Sequence, residues 1–112
     1  MIEPGQTIGI LGGGQLGRMT ALAATALGYR CHVYCPIAYS PAKLATPFST
    51  TAAYENKLAL ARFAKAVEVI TFEFENVPAD TAEFLAEHKP VRPGPNALRI
   101  AQDRLAEKDF LH

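Results

Sequence analysis

The segment TIGILGGGQLG, residues 7–17, runs from a short apolar stretch into three consecutive glycines and then into a helical pattern. Its β-branched start predicts a buried strand over Thr7–Leu11. From Gln15 to Leu27 apolar residues recur at helical spacing, and Gly28 is placed to end that helix. The segment therefore predicts a strand, a glycine turn and a helix, whose recurring apolar positions are Leu16, Met19, Ala23, Ala26 and Leu27.

The remaining chain repeats this alternation of strand and helix. Pro36 ends the second strand and is followed by a loop over 37–47 that is rich in small residues and proline. Such an alternation predicts an α/β domain in which an open parallel sheet carries helices on both faces. The predicted strands are Arg30–Cys35, Phe48–Ala53, Val67–Phe72 and a last one from Val91; the predicted helices are Asn56–Ala66, Asp80–His88 with Asp80 as its cap, and a closing helix from Asn96 toward Leu111.

Length and composition set the class of protein. A chain of 112 residues with a formal net charge of +0 predicts one domain with a modest core. It has no apolar run of the roughly 18 residues that a membrane span needs, and no signal-peptide pattern, so we expect a cytoplasmic protein without membrane contact. The cysteines and histidines lack metal-ligand spacing, so we expect no metal site and no catalytic histidine, and we expect the cysteines to be reduced thiols with a packing role. These residues are Cys31, Cys35, His32, His88 and His112.

Charge is unevenly distributed along the chain. No acidic residue lies between Glu3 and Glu55, whereas that stretch contains Arg18, Arg30 and Lys43. The first half is therefore suited to an anionic ligand. Nucleic acid is a poorer candidate, because these cations are few and unclustered and no aromatic residues alternate with them.

The glycine turn fits the pattern G-x-G-x-x-G over residues 12–17. Backbone amides can approach a ligand there, and a helix N-terminus favours phosphate; the alternative is that the glycines only allow tight packing of strand and helix. An NAD site would need an acid near the end of the second strand, where residues 33–36 read VYCP. NAD is therefore disfavoured, and for NADP Lys43 is a poor substitute for the expected arginine.

A second candidate stretch is TFEFENVP, residues 71–78. Ligands of open α/β sheets bind outside the carboxyl ends of the strands, which is where Glu73 and Glu75 follow the predicted strand. A carboxylate there can accept hydrogen bonds from sugar hydroxyls, as a phosphoribosyl ligand would require. The alternative is that the strand has ended and both glutamates face water.

The third stretch is QDRLAEK, residues 102–108, near the end of the chain. Helical spacing places Arg104 and Lys108 on one face and Asp103 and Glu107 on an adjacent one. Composition alone predicts an exposed, ion-paired helix face.

Four segments in order, IGILGGGQLGRM, SPA, TFEFENVP and QDRLAEKDFL, resemble the N-terminal region of the 5-(carboxyamino)imidazole ribonucleotide synthases, a family of the ATP-grasp superfamily. The resemblance implies that residues 1–112 form a single Rossmann-like preATP-grasp domain, with ATP-grasp domains expected downstream. The family uses ATP and Mg²⁺ to phosphorylate bicarbonate and transfers the carboxyl group to 5-aminoimidazole ribonucleotide in purine biosynthesis, and a homodimer is expected.

The resemblance also implies roles for individual residues. It implies substrate contacts for the glycine turn and Glu73, with Glu75 and Asn76 as further candidates, and contact with ATP for Arg104. The catalytic and magnesium-binding residues of the family lie beyond His112, so this chain alone should bind weakly and catalyse nothing. The turn residues with implied substrate contacts are Gly14, Gln15, Leu16 and Gly17.

Two other functions stay open, a stand-alone nucleotide- or phosphate-binding module and an NADP-binding oxidoreductase domain.

Overall fold

A computed structural model describes residues 5–72 and 77–92 of the chain. Its four strands form one parallel sheet in the order β3-β2-β1-β4. Val91 adds an isolated parallel bridge to Ile70, where a last strand was predicted. The closing helix predicted from Asn96 lies outside the described residues. The strands are β1 Thr7–Leu11, β2 Arg30–Cys35, β3 Phe48–Thr51 and β4 Val69–Phe72.

Helices cover both faces of the sheet. They are α1 Gln15–Ala26, α2 Lys57–Lys65 and α3 Ala79–Ala86, with a short 3₁₀ turn at Lys43–Ala45. Alternate residues of β1 and β2 enter two separate cores, because successive side chains of a strand point to opposite faces. The predicted α/β class, an open parallel sheet flanked by helices, is confirmed. One core joins α1 to Ile10, Cys31 and Val33, and the other joins α2 and α3 to Leu11, Tyr34, Ile70 and Phe72.

Helix α1 differs from its sequence pattern in the face that it buries. Its buried residues are Gly17, Ala21 and Ala24, which let the helix lie close to the sheet. The Cys31 thiol, for example, contacts the Ala21 carbonyl oxygen at 3.8 Å. The apolar positions that recur at helical spacing are turned outward, and Leu16 is 66% exposed. The pattern therefore predicted the helix correctly but indicated the face that does not contact this sheet.

The start of α3 also differs from the prediction. Asp80 was predicted to cap the helix, but the capping position is Pro78 and Asp80 lies in the first turn. The Pro78 carbonyl oxygen already accepts the Thr81 amide at 3.1 Å, so the helix begins one residue before Asp80. In that position the carboxylate still favours the helix, because the N-terminal turn carries a partial positive charge.

The described helices include none with the length and apolar character that a membrane crossing requires.

Candidate functional site

The glycine turn connects β1 to α1 at the carboxyl edge of the sheet. Gly12 has a φ of 111°, a left-handed conformation that glycine adopts without strain. Its amide donates to the Tyr34 carbonyl oxygen at 2.9 Å, which extends the pairing of β1 with β2. Gly14 is the N-cap of α1, and its carbonyl oxygen accepts the first helical hydrogen bond from the Arg18 amide at 3.0 Å. The turn therefore places the N-terminus of a 12-residue helix at this edge.

Gly13 lies directly against the connection that follows β2. A Cβ atom on Gly13 would lie 2.6 Å from the Cys35 sulfur, 2.6 Å from the Ser40 hydroxyl oxygen and 2.7 Å from the Ser40 Cβ. The Gly13 carbonyl oxygen also accepts the Ala42 amide at 3.0 Å. Glycine is therefore required at this position by tight packing, which was the alternative interpretation of the glycine motif.

The predicted residues of the turn differ in their exposure. Gln15 and Leu16 are exposed at the start of α1, whereas Gly17 is one of the buried residues of this helix. A ligand at this edge can reach the first two residues of the helix, while Gly17 has a packing position. The amides of Gln15 and Leu16 precede the first hydrogen bond of the helix, and such amides are ordinary donors to anions.

The other predicted site residues, Glu73, Glu75, Asn76 and Arg104, lie outside the described residues. The strand that precedes them, β4, is described up to Phe72. Phe72 pairs with Leu11 across the sheet, and each is the last residue of its strand. One strand continues into the glycine turn and the other into the TFEFENVP segment. The glycine turn therefore begins beside Phe72, the last described residue before Glu73.

A buried lysine, which the sequence indicated only as a weak cation for NADP, lies beside this edge. Lys43 is 9% exposed, and its ammonium group donates to the carbonyl oxygens of Cys35 at 3.3 Å and Ile37 at 2.5 Å. A third hydrogen bond reaches the Thr51 hydroxyl at 2.6 Å. The sequence feature that indicates this burial is the position of the lysine in an apolar segment, directly after the SPA tripeptide.

The other titratable groups near the strands are structural. Cys31 and Cys35 are free and buried, as predicted. Burial raises the pKa of the Cys31 thiol, with a smaller opposing effect from a hydrogen bond with Thr25, and burial also raises the pKa of the Tyr34 phenol. Both groups are therefore held neutral, which removes them as nucleophiles or bases. Residues 5–72 and 77–92 contain no group of three side chains suited to a metal ion.

A cleft of about 610 Å³ between α2 and α3 is a separate feature. Its lining is mainly acidic and aromatic, and the Lys57 ammonium lies 5.8 Å from the centre of the Phe84 ring. None of the glycine-turn residues lines it. The predicted anion site and this cleft are therefore different places on the molecule; the cleft is lined by Glu55, Asp80, Glu83 and Glu87 among others.

Comparison with known proteins decides the family. Residues 5–102 match the family described as the ribonucleotide synthetase preATP-grasp domain. The chain belongs to this family. Relatives of this preATP-grasp domain include the N5-carboxyaminoimidazole ribonucleotide synthases of Brucella melitensis, 51% identical over 99% of the chain, and of Bacillus subtilis, 39% identical over 96%. The chain spans 31% and 28% of these two proteins.

Solved structures show the same domain within longer proteins. An N5-carboxyaminoimidazole synthetase of Staphylococcus aureus, complexed with ADP, matches with a TM-score of 0.86 and 38% identity over 98% of this chain and 30% of that one. An Aspergillus clavatus synthase, in complex with ADP and 5-aminoimidazole ribonucleotide, matches with a TM-score of 0.77 and 32% identity over 96% and 29%. The α/β fold of this preATP-grasp domain is thus the fold of those enzymes' N-terminal regions.

Proposed function

We propose that this preATP-grasp domain is the substrate-binding part of an ATP-dependent ligase that carboxylates 5-aminoimidazole ribonucleotide with bicarbonate in purine biosynthesis. The observation that carries the proposal is the register of β1 and β4, whose paired ends Leu11 and Phe72 lead into the glycine turn and the Glu73 segment. A sugar phosphate needs two different partners, donors for its phosphate and acceptors for its hydroxyls. We assign these two roles to the start of α1 and to the segment that follows Phe72.

In this proposal the ribonucleotide is held at both ends. Its phosphate lies at the N-terminus of α1, where the amides of Gln15 and Leu16 and the helix dipole favour an anion. Its ribose hydroxyls donate to the carboxylate of Glu73, and Glu75 and Asn76 are further candidates for contact. The absence of acidic residues between Glu3 and Glu55 keeps like charge away from the phosphate.

ATP, Mg²⁺ and bicarbonate complete the proposed reaction in the longer enzyme. ATP transfers its terminal phosphoryl group to bicarbonate, and the exocyclic amine of the ribonucleotide then attacks the carboxyl carbon of carboxyphosphate and releases phosphate. The chain spans 31% of its Brucella melitensis relative, and in this proposal the rest of the longer enzyme supplies Mg²⁺ binding and the catalytic residues. Arg104 is the residue of this chain that we assign to ATP. The chain alone should therefore be inactive.

We further propose that the enzyme is a cytoplasmic homodimer. The outer face of α1 supports an additional protein contact, because it exposes large apolar side chains that the described sheet leaves uncovered. Large apolar side chains that are exposed near one another commonly mark an interface. The side chains are Leu16, Met19, Leu22 and Leu27, each at least half exposed.

A titration of the isolated chain tests the substrate assignment. Two-dimensional NMR spectra would be recorded with 5-aminoimidazole ribonucleotide, its dephosphorylated nucleoside, ADP and NADPH. We expect the ribonucleotide to shift the amide signals of Gly12 to Gly17 at millimolar concentration and the nucleoside to bind more weakly. Preferred binding of NADPH would support an oxidoreductase domain instead. Equal binding of every phosphate-bearing compound would support a general phosphate-binding module.

A chimera tests the activity. This chain would replace the corresponding N-terminal residues of the Brucella melitensis relative, and ATP-dependent loss of 5-aminoimidazole ribonucleotide in the presence of bicarbonate would be measured. We expect an active enzyme, because the two sequences are 51% identical over 111 residues. A folded chimera that consumes no ribonucleotide would contradict the proposed function.

A further inference from the structure

Lys43 is a buried cation whose hydrogen bonds within residues 5–72 and 77–92 go to uncharged groups. An ammonium group has three N–H donors, and here three acceptors surround it: the carbonyl oxygens of Cys35 and Ile37 and the hydroxyl of Thr51. Burying a charge is unfavourable unless hydrogen bonds compensate for the lost water. This lysine therefore stays buried only while its three acceptors are held in place around it.

The three acceptors belong to different parts of the chain. Cys35 is the last residue of β2, Thr51 is the last residue of β3, and Ile37 lies in the connection between β2 and the 3₁₀ turn. Because Lys43 begins that 3₁₀ turn, its side chain closes residues 35–43 into a loop. The loop is thereby fastened to the carboxyl ends of two neighbouring strands.

The same loop supports the glycine turn from behind. Ala42, the residue before Lys43, donates its amide to the Gly13 carbonyl oxygen at 3.0 Å. Ser40 occupies the space that a Gly13 side chain would need, and its hydroxyl accepts a hydrogen bond from the Cys35 thiol at 3.5 Å. Both Ser40 and Ala42 are fully or almost fully buried. A displacement of this loop therefore reaches Gly13, which directly precedes the N-cap of α1.

We propose that Lys43 is a positioning residue for phosphate binding, because its ammonium group fixes the loop that holds the glycine turn in its anion-binding geometry. Lys43 itself need not touch the ligand. The inference rests on the proposed function, since it assigns the turn to the phosphate of the ribonucleotide. Preorganised donors bind an anion more tightly than mobile ones, because the cost of ordering them has already been met in the free protein.

Two variants test the inference in this chain. Lys43→Met removes the charge and keeps most of the side-chain volume, and Thr51→Val removes one acceptor while leaving the lysine in place. Lys65→Met is the control for charge, because Lys65 is an exposed residue at the end of α2. Thr50→Val is the control for the hydroxyl, because Thr50 is the neighbouring residue of β3 and bonds His32 instead.

Two measurements separate positioning from general destabilisation. Amide hydrogen exchange reports the loop directly, and we expect faster exchange at Ala42 in both test variants while the β1 and β2 amides keep their protection. The second measurement is the ratio of the dissociation constants of the nucleoside and the ribonucleotide, which isolates the contribution of the phosphate. We expect this ratio to fall about tenfold in Lys43→Met and less in Thr51→Val, as expected when a binding group loses its preorganisation.

The results of these measurements distinguish the positioning role of Lys43 from the proposed function of the domain. Unchanged exchange at Ala42, or an unchanged ratio in both test variants, would overturn the positioning role while the wild-type titration still supports the proposed function. If Lys43→Met does not fold, Thr51→Val alone decides. A wild-type chain that binds neither compound would contradict the proposed function and, with it, this inference.

Discussion

Gly13 and Ser40 are in such close contact that a Cβ atom on Gly13 would lie 2.6 Å from the Ser40 hydroxyl oxygen. Real Cβ atoms do not approach other atoms so closely, so this glycine is required by packing and not by an unusual φ angle. The contact joins the glycine turn to the loop after β2. The proposed binding at the turn and the packing behind it are therefore linked through Gly13.

Gly13→Ala should weaken ribonucleotide binding as well as stability. The added methyl group must displace Ser40 or the turn, and overpacking of this kind costs about 1–3 kcal/mol of unfolding free energy. Gly9→Ala is the matched control, because its Cβ would lie 2.6 Å from the Phe63 ring on the α2 side of the sheet. Denaturant unfolding and ribonucleotide titration of both variants check this. Equal losses of affinity in the two would show that the turn has no special role.

Gly14→Val should affect the ligand more than the fold. Gly14 has an extended conformation with a φ of −79°, which a branched residue can adopt, and the loss of a favourable N-cap residue typically costs about 1 kcal/mol. A side chain at this position, however, obstructs the approach of phosphate to the amides. Gly14→Asn is the comparison, since Asn is a favoured N-cap residue. We expect weaker ribonucleotide binding in both variants; a normal affinity in either would make the turn purely structural.

The elements of the fold that the sequence predicted best are those with strong local signals. Thr7–Leu11 and Arg30–Cys35 have the predicted bounds because glycines end the first strand and Pro36 ends the second. Gly28, placed to end α1, has the positive φ of 93° that a helix terminus requires. The third strand ends at Thr51, two residues before its predicted end, where no such signal stands.

The buried face of α1 could not be predicted from periodicity alone. Its large apolar residues, such as Met19 and Leu22, are exposed, while Ala21 and Ala24 face the sheet. A helix that lies close to a sheet needs small residues there, and large apolar residues on its other face suit a partner beyond the described residues. A pattern of hydrophobicity does not distinguish these two surfaces.

The site was predictable only in part for a related reason. The glycine turn has a local motif, so it could be placed at the sheet edge in advance, whereas the position of Glu73 lies outside the described residues and stays a prediction. The buried position of Lys43 depends on three hydrogen-bond acceptors that only the folded chain brings together. No spacing rule connects residue 43 with residue 51.

His32 should make the stability of the domain depend on pH. Burial lowers the pKa of this imidazole from its ordinary value of 6.5, and a ring nitrogen lies 2.7 Å from the Thr50 hydroxyl. The unfolded chain therefore binds the proton more readily, so the free energy of unfolding should fall as the pH decreases through about 6.5. His32→Gln should flatten this dependence in urea unfolding between pH 7.5 and pH 5. An unchanged slope in the variant would assign the effect to other groups.

Asn56→Ala should destabilise α2. The Asn56 side chain accepts the Ala59 amide at 3.0 Å as the N-cap of this helix, and loss of such a cap costs about 1 kcal/mol. Asn56→Asp keeps an acceptor in the same place and should be nearly neutral. Thermal and denaturant unfolding of both variants check the ranking. Equal destabilisation of the two would mean that the amide group has a role other than capping.

Glu73→Ala should weaken ribonucleotide use in the active chimera. If the carboxylate accepts one hydrogen bond from the ribose, its loss removes about 1.5–3 kcal/mol and raises the KM for the ribonucleotide on the order of tenfold or more. The KM for ATP should stay unchanged, because ATP is assigned to other residues. Glu87→Ala, at the exposed end of α3, is the control for a lost negative charge. An unaltered KM for the ribonucleotide would exclude Glu73 from the site, whereas equal increases for both substrates would indicate a general distortion of the domain.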